Sequence, residues 1–191
     1  MPLLRWRDSQ SIRTKGILVT GKGSTKRTGT LYRVCKYLYE AGVESVIFDD
    51  VEPNPLTTTV MEGAKKCQEE GCDVVIGLGG GSVLDCAKAI TFMADNDGDI
   101  NDYIFLKKVG TKAFPLVLIP TTCGTGSEGN SFAVLTNPDN GDKKSLRSPA
   151  IIAKASIIDS CLMETMPKSV LASVGFDALC HVMEAYLSKT A

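Results

Sequence analysis

"DVVIGLGGGSVLDCAKAITFMA", residues 73–94, decides the fold. Residues 73–78 form a short run of Val, Ile and Leu, the texture of a strand buried on both faces. Glycines then break the chain, and the stretch from Ser82 onward reads as a helix. A strand feeding a helix through a glycine loop is half of a parallel crossover unit. Such a loop is also a cradle for phosphate. Glycines without Cβ atoms let the backbone come close, and the helix start offers free N–H groups and a positive dipole end. Two plainer readings stay open: a tight turn, or a capping box formed by Ser82 and Asp85.

The same alternation extends in both directions. "GILVT" (16–20) reads as a strand ending at Gly21. Leu31, Val34, Cys35 and Leu38 follow at helical spacing, and Gly42 ends that helix. "SVIFD" (45–49) is a second strand and "EPNP" (52–55) a turn. Thr57 to Thr59 offer caps for a helix that ends at Gly71, and "FPLVLIP" (114–120) is a fourth strand. Apolar strands alternating with helices predict an α/β protein with a doubly wound, Rossmann-like parallel sheet. In such sheets ligands lie beyond the carboxyl ends of the strands, so the loops there hold the candidate residues.

After residue 120 the pattern changes. "SFAVLT", the turn "NPDNGD" and "KKSLRS" predict a β-hairpin, and Pro167 opens a helix that reaches the end of the chain. The division expected is an atypical leader at 1–15, a nucleotide-binding domain at 16–165, and from 166 to 191 the start of a truncated, all-helical second domain.

The bulk properties exclude several partners. The 191 residues carry a net charge of -1 with no Lys/Arg block, which argues against nucleic acid and acidic membrane surfaces. No uninterrupted apolar run reaches the roughly 18 residues of a membrane span. Seven cysteines, an odd number without a C-x-x-C pair, read as reduced thiols in a cytoplasmic protein.

A second loop, "PTTCGTGSE" (120–128), follows the fourth strand with hydroxyls at Thr121, Thr122, Thr125 and Ser127. It suits a phosphate or a ribose, or is simply a Ser/Thr-rich loop. A third, "TGKGSTKRTG" (20–29), misses the dinucleotide fingerprint because its third glycine comes late. Asp49 closes the second predicted strand. There a carboxylate can accept from adenosine ribose hydroxyls and repel a 2′-phosphate, which predicts NAD over NADP, or it can cap a turn. The single histidine, His181, stands four residues after Asp177, so the two share a helix face. They read as half a metal site or as an ordinary ion pair.

"TGKGS", "FDDVEPNP", "GLGGGSVLDCAKAI", "PTTCGTGSE" and "GFDALCHVMEAYLS" occur in that order. Together they resemble the iron-containing, group III alcohol dehydrogenases over residues 16 to 191. The resemblance implies a metal-assisted, NAD-dependent alcohol dehydrogenase acting on a small alcohol or aldehyde, and a homo-oligomer, a dimer. It implies Fe(II), alternatively Zn(II), held by Asp177 and His181 with two further histidines from later helices. It places Asp49 at the adenosine ribose, Gly80, Gly81 and Ser82 at the pyrophosphate with Asp85 fixing the loop, and Thr121, Thr122 and Thr125 on the nicotinamide side. Of Lys143 and Lys144, which compete for a lysine near the cofactor, spacing from Asp159 favours Lys143. Glu184 is a candidate to orient His181. With one histidine in the chain, an inactive fragment is expected. The competing readings are a non-catalytic nucleotide-binding fragment and a zinc enzyme like glycerol dehydrogenase. The last helix would also expose an apolar face, with Ala178, Val182 and Ala185 or with Leu179 and Met183, and promote self-association.

Overall fold

A computed structural model of the chain describes residues 14–189. The expected leader therefore lies almost wholly outside the described residues. β1 (Lys15–Gly21) runs into the one-turn α1 (Ser24–Arg27) and then α2 (Thr30–Glu40). β2 (Glu44–Val51) leads to α3 (Thr57–Glu69), and β3 (Val74–Gly79) to α4 (Gly81–Met93) and the short α5 (Ile100–Ile104). β4 (Leu116–Pro120) precedes an antiparallel hairpin of β5 (Phe132–Thr136) and β6 (Lys143–Arg147). A two-residue β7 (Ala155–Ser156) and the 20-residue α6 (Lys168–Leu187) complete the order.

The main sheet has the order β2-β1-β3-β4-β7, and every pairing in it is parallel. Successive side chains alternate between its faces. Ile17 and Val19 of β1 enter one core with Val75, Leu118 and the α3 and α4 residues Val60, Ala64, Leu84 and Ile90. Leu18, between them, enters the other with Ile76, Leu78 and Ile119, beneath Leu31, Val34 and Leu38 of α2. Burial on both faces is why these strands read as continuous apolar runs. Each fully buried Leu or Ile contributes roughly 1.5–3 kcal/mol. Because β2 lies to one side of β1 and β3 to the other, the chain leaves their carboxyl ends in opposite directions and a crevice opens between them.

Several local expectations are corrected. β2 continues to Val51, two residues beyond Asp49, so Asp49 lies within the strand. No threonine side chain caps α3. Glu52 instead accepts the Leu56 N–H at 2.7 Å and the Thr59 hydroxyl at 3.1 Å. α4 begins at Gly81 with Gly80 as its N-cap and no side-chain capping bond, which removes the capping-box reading of Ser82 and Asp85. Residues 151–159 are mostly irregular and contribute only β7 to the sheet.

α6 differs from every other long helix because none of its residues is buried. Leu179, Val182 and Met183 are each half exposed or more, as the sequence predicts. An 18-residue window of this helix has a mean hydropathy of 1.3, so by length and composition it is long and apolar enough to cross a membrane. A count of uninterrupted apolar residues misses this because Asp177, His181 and Glu184 interrupt the run. Those three lie along one stripe, and ionisable groups of that kind are costly in hydrocarbon.

Candidate functional site

Three adjoining cavities lie over the carboxyl ends of the strands. The central cleft, about 410 Å³, is lined by Lys22 and Ser24 after β1, Val51 to Pro53 after β2, Gly80 to Val83, Thr122, Thr125 and Val174 of α6. A larger cavity of about 870 Å³ shares Gly81, Ser82 and Thr125 with it, and extends to Asp85, the hairpin residues Lys143 and Arg147, and Asp177, His181 and Glu184. On the other side a cavity of about 450 Å³ shares Ser24, Gly80 and Thr122, and reaches Thr25, Thr121, Leu162 and Met166.

The glycine loop is shaped by its neighbour. A Cβ on Gly81 would stand 2.8 Å from Thr125 Cγ2, and one on Gly80 would stand 3.2 Å from Thr122 Oγ1. The glycines thus let the loops after β3 and β4 close on each other, as well as leaving backbone open to the cleft. At the start of α4 the Val83 and Leu84 N–H groups donate to the Gly80 carbonyl at 2.9 and 3.1 Å, while those of Gly81 and Ser82 have no carbonyl one turn back and can meet an anion. Beneath the cleft, the buried Thr20 hydroxyl donates to the Leu78 carbonyl at 2.8 Å and meets the Thr25 hydroxyl at 2.8 Å. That anchors the loop after β1 to β3.

Asp85 holds the second loop and the hairpin. It accepts the Ser127 hydroxyl at 2.6 Å and the Val134 N–H at 3.0 Å. Lys88, fully buried one turn later on α4, lies 3.5 Å from Asp85. Its ammonium also donates to Asn130 Oδ1 at 2.9 Å and to the Phe132 carbonyl at 2.7 Å. Burial lowers the Lys88 pKa, opposed by the Asp85 charge. Sequence reasoning missed this lysine. The signal was present, because α4 is apolar all round and a cation within it must be paired.

The hairpin brings Lys143 to Asn54, whose side-chain oxygen accepts at 2.8 Å, and the Asn54 N–H donates to Ser82 Oγ at 3.2 Å. Lys143 and Arg147 line the large cavity. Lys144, on the opposite face of β6, pairs with Asp142 at 3.1 Å and sits 4.2 Å from the Phe105 ring centroid. The geometry therefore separates the two candidate lysines.

The three threonines part company. Thr121 lines only the cavity at the start of α6, beside Pro167 and Val170, and Thr122 lines that cavity and the central cleft. Thr125 alone of the three reaches the cavity of Asp177 and His181. Thr122 and Thr125 nevertheless meet on the central cleft, one on each side of the bend at Gly124. Asp49 lines none of the three cavities and is engaged by the Lys26 ammonium. That hydrogen bond holds its carboxyl below the usual range.

Asp177 Oδ2 and His181 Nε2 are 3.7 Å apart and face the large cavity. α6 reaches this position because Gly124, at φ +122°, has no side chain, where a Cβ would fall 2.2 Å from the Val174 carbonyl oxygen. One carboxylate and one imidazole are donors suited to Fe(II) or Zn(II). Among the described residues no third His, Cys, Asp or Glu joins them.

Known proteins match this chain closely. A sequence model of the iron-containing alcohol dehydrogenases matches residues 7–160. The 1,3-propanediol dehydrogenase of Klebsiella pneumoniae is 40% identical over 178 residues, covering 93% of this chain and 46% of that protein. Among solved structures, an NADH-dependent butanol dehydrogenase A of Thermotoga maritima superposes with a TM-score of 0.87 at 36% identity, covering 90% of this chain and 43% of its own. The sulfoacetaldehyde reductase of Bifidobacterium kashiwanohense, solved in complex with NAD+, gives a TM-score of 0.86 at 34% identity, covering 92% and 46%. The chain spans about half the length of the relatives it matches. With the family match extending over most of its residues, the chain belongs to the iron-containing alcohol dehydrogenases.

Proposed function

We propose that this chain carries the cofactor-binding part of an NAD-dependent alcohol dehydrogenase, which moves hydride between a primary alcohol and C4 of nicotinamide. One observation carries the reading. Ser82 and Thr125 line both the central cleft and the cavity of Asp177 and His181, so a dinucleotide in the cleft extends toward that couple. Gly80, Gly81 and Ser82 hold the pyrophosphate on the helix start, and Asp85 fixes the loop opposite. Lys143 and Asn54 border the path toward the nicotinamide end. This orientation sets the alcohol carbon against the ring, the main contribution a protein makes to hydride transfer.

Asp177 and His181 would hold Fe(II), with Zn(II) as the alternative. A bound divalent ion supplies a Lewis acid that lowers the pKa of an alcohol oxygen. Two protein donors hold such an ion weakly, since catalytic sites use three or more. We therefore expect cofactor binding without turnover by these 191 residues. The test is NADH formation with ethanol, propanol or propanediol after addition of Fe(II). Turnover would contradict the two-donor account, and activity with glycerol and zinc would favour a glycerol dehydrogenase-like enzyme.

A further inference from the structure

Lys143, Ser145 and Arg147 stand at alternate positions of β6, so they share one face of the hairpin. All three line the large cavity, together with Phe132 and Val134, which pair with Arg147 and Ser145 across the hairpin. This wall carries a cation at each end, roughly 13 Å apart by the rise of four strand residues. The two cations have different surroundings. Lys143 donates to Asn54, whose N–H in turn meets Ser82 of the glycine loop. Arg147 rests on the Phe132 ring, its guanidinium carbon 5.2 Å from the centroid. Among the described residues that guanidinium has no hydrogen bond and no ion pair. Most of the acidic groups of the cavity are committed. Asp85 serves Ser127, Val134 and Lys88, and Asp177 faces His181. Glu184 lines the cavity from α6 and makes no ion pair with Arg147.

We propose that Arg147 is a specificity-determining residue that receives an oxyanion, so that this cavity takes a short alcohol or aldehyde with a carboxylate at its other end. The inference rests on the dinucleotide reading above and adds the substrate class to it. A guanidinium presents five N–H donors in a planar fork that matches a carboxylate through two parallel hydrogen bonds. Stacking on Phe132 holds that plane in advance, which reduces the freedom lost on binding. The cofactor diphosphate is met at Gly81 and Ser82, near the Lys143 end of the wall. Arg147 stands at the opposite end, so the anion it receives belongs to the substrate. Asp177 and His181 line the same cavity, and the proposed function puts the alcohol oxygen there.

The experiment is a titration of the isotope-labelled 191-residue chain followed by amide NMR shifts. NAD is added first. With NAD saturating, 3-hydroxypropanoate and 4-hydroxybutanoate are compared with the neutral 1,3-propanediol and 1,4-butanediol. The series is repeated for Arg147→Gln, Arg147→Lys and Lys143→Gln. Arg147 is exposed, so its variants are expected to fold. At least one carboxylate should saturate in the millimolar range, about tenfold tighter than its diol. Arg147→Gln should weaken that carboxylate about tenfold or more relative to any change in NAD affinity. Arg147→Lys should retain part of the binding, because it keeps the charge and loses the fork. NAD binding with carboxylate and diol alike in affinity overturns the inference and leaves the dinucleotide reading intact. So does the absence of saturation by either carboxylate below about 50 mM. Carboxylate binding that Lys143→Gln abolishes and Arg147→Gln does not also overturns it. Failure of the unmodified chain to bind NAD removes the dinucleotide reading itself, and this inference with it.

Discussion

The carboxyl ends of β3 and β4 are closed in by neighbouring structure, whereas α6, lying beside them, buries none of its residues. At Gly81 there is no room for a Cβ, and a few residues away Asp85 and the fully buried Lys88 tie α4 to the hairpin. At Val182 and Met183 the side chains face outward. The first region is finished by contacts within this chain, and its geometry follows from packing. The second presents a carboxylate and an imidazole on a helix whose remaining surface is unsatisfied. On the proposed function, the difference separates cofactor binding, which the packed loops would support, from metal chemistry.

Breaking the closed region should have the largest effect. Asp85→Ala leaves the Lys88 ammonium buried without its carboxylate, and loss of one member of a buried pair costs about 3–5 kcal/mol. Urea denaturation should show that loss, and a change under about 1 kcal/mol would mean the pair is not structural. Gly81→Val comes next. Its Cβ would meet Thr125, and overpacking of this kind costs about 1–3 kcal/mol. The more telling result is NAD affinity, which should fall further than stability does. Unchanged affinity would show that the glycine loop is not the cradle.

Changes on α6 should be small in stability. Val182→Glu, at an exposed position, should stay within about 0.5 kcal/mol yet shift sedimentation from associated species toward monomer. A clean monomer before the substitution would contradict the exposed apolar face as a source of association. His181→Ala should be the mildest, because a solvent-exposed i,i+4 pair is worth about 0.5 kcal/mol at most. A loss of several kcal/mol would place His181 in a packed role that its exposure does not show.

The same contrast governs what could be read from the sequence. The strands and long helices were legible because both faces of the sheet, one stripe of α2 and α3 and nearly the whole of α4 are apolar, and the sequence pattern records that directly. α1, α5 and β7 were not expected, because they are too short to display a period. The path of the loop after β4 was also illegible, so the sequence could not tell that Thr122 and Thr125 share the central cleft while Thr121 lines only a neighbouring cavity. Asp49 was identified, but its partner Lys26 lies 23 residues earlier and meets it only through the pairing of β1 with β2. Lys88 was passed over because a lone lysine in a helix usually faces water. Asp177 and His181 were legible through their spacing, since two residues four apart on one helix need no tertiary structure to meet.

The central claim is that the dinucleotide cleft is complete within this chain, while the Asp177–His181 couple is not a full metal site. Titrating NAD into the metal-free chain by calorimetry tests it most directly. The account predicts saturable, one-to-one binding below about 1 mM that Gly81→Val abolishes. No saturable binding, or binding that appears only when a divalent metal is added, would contradict it.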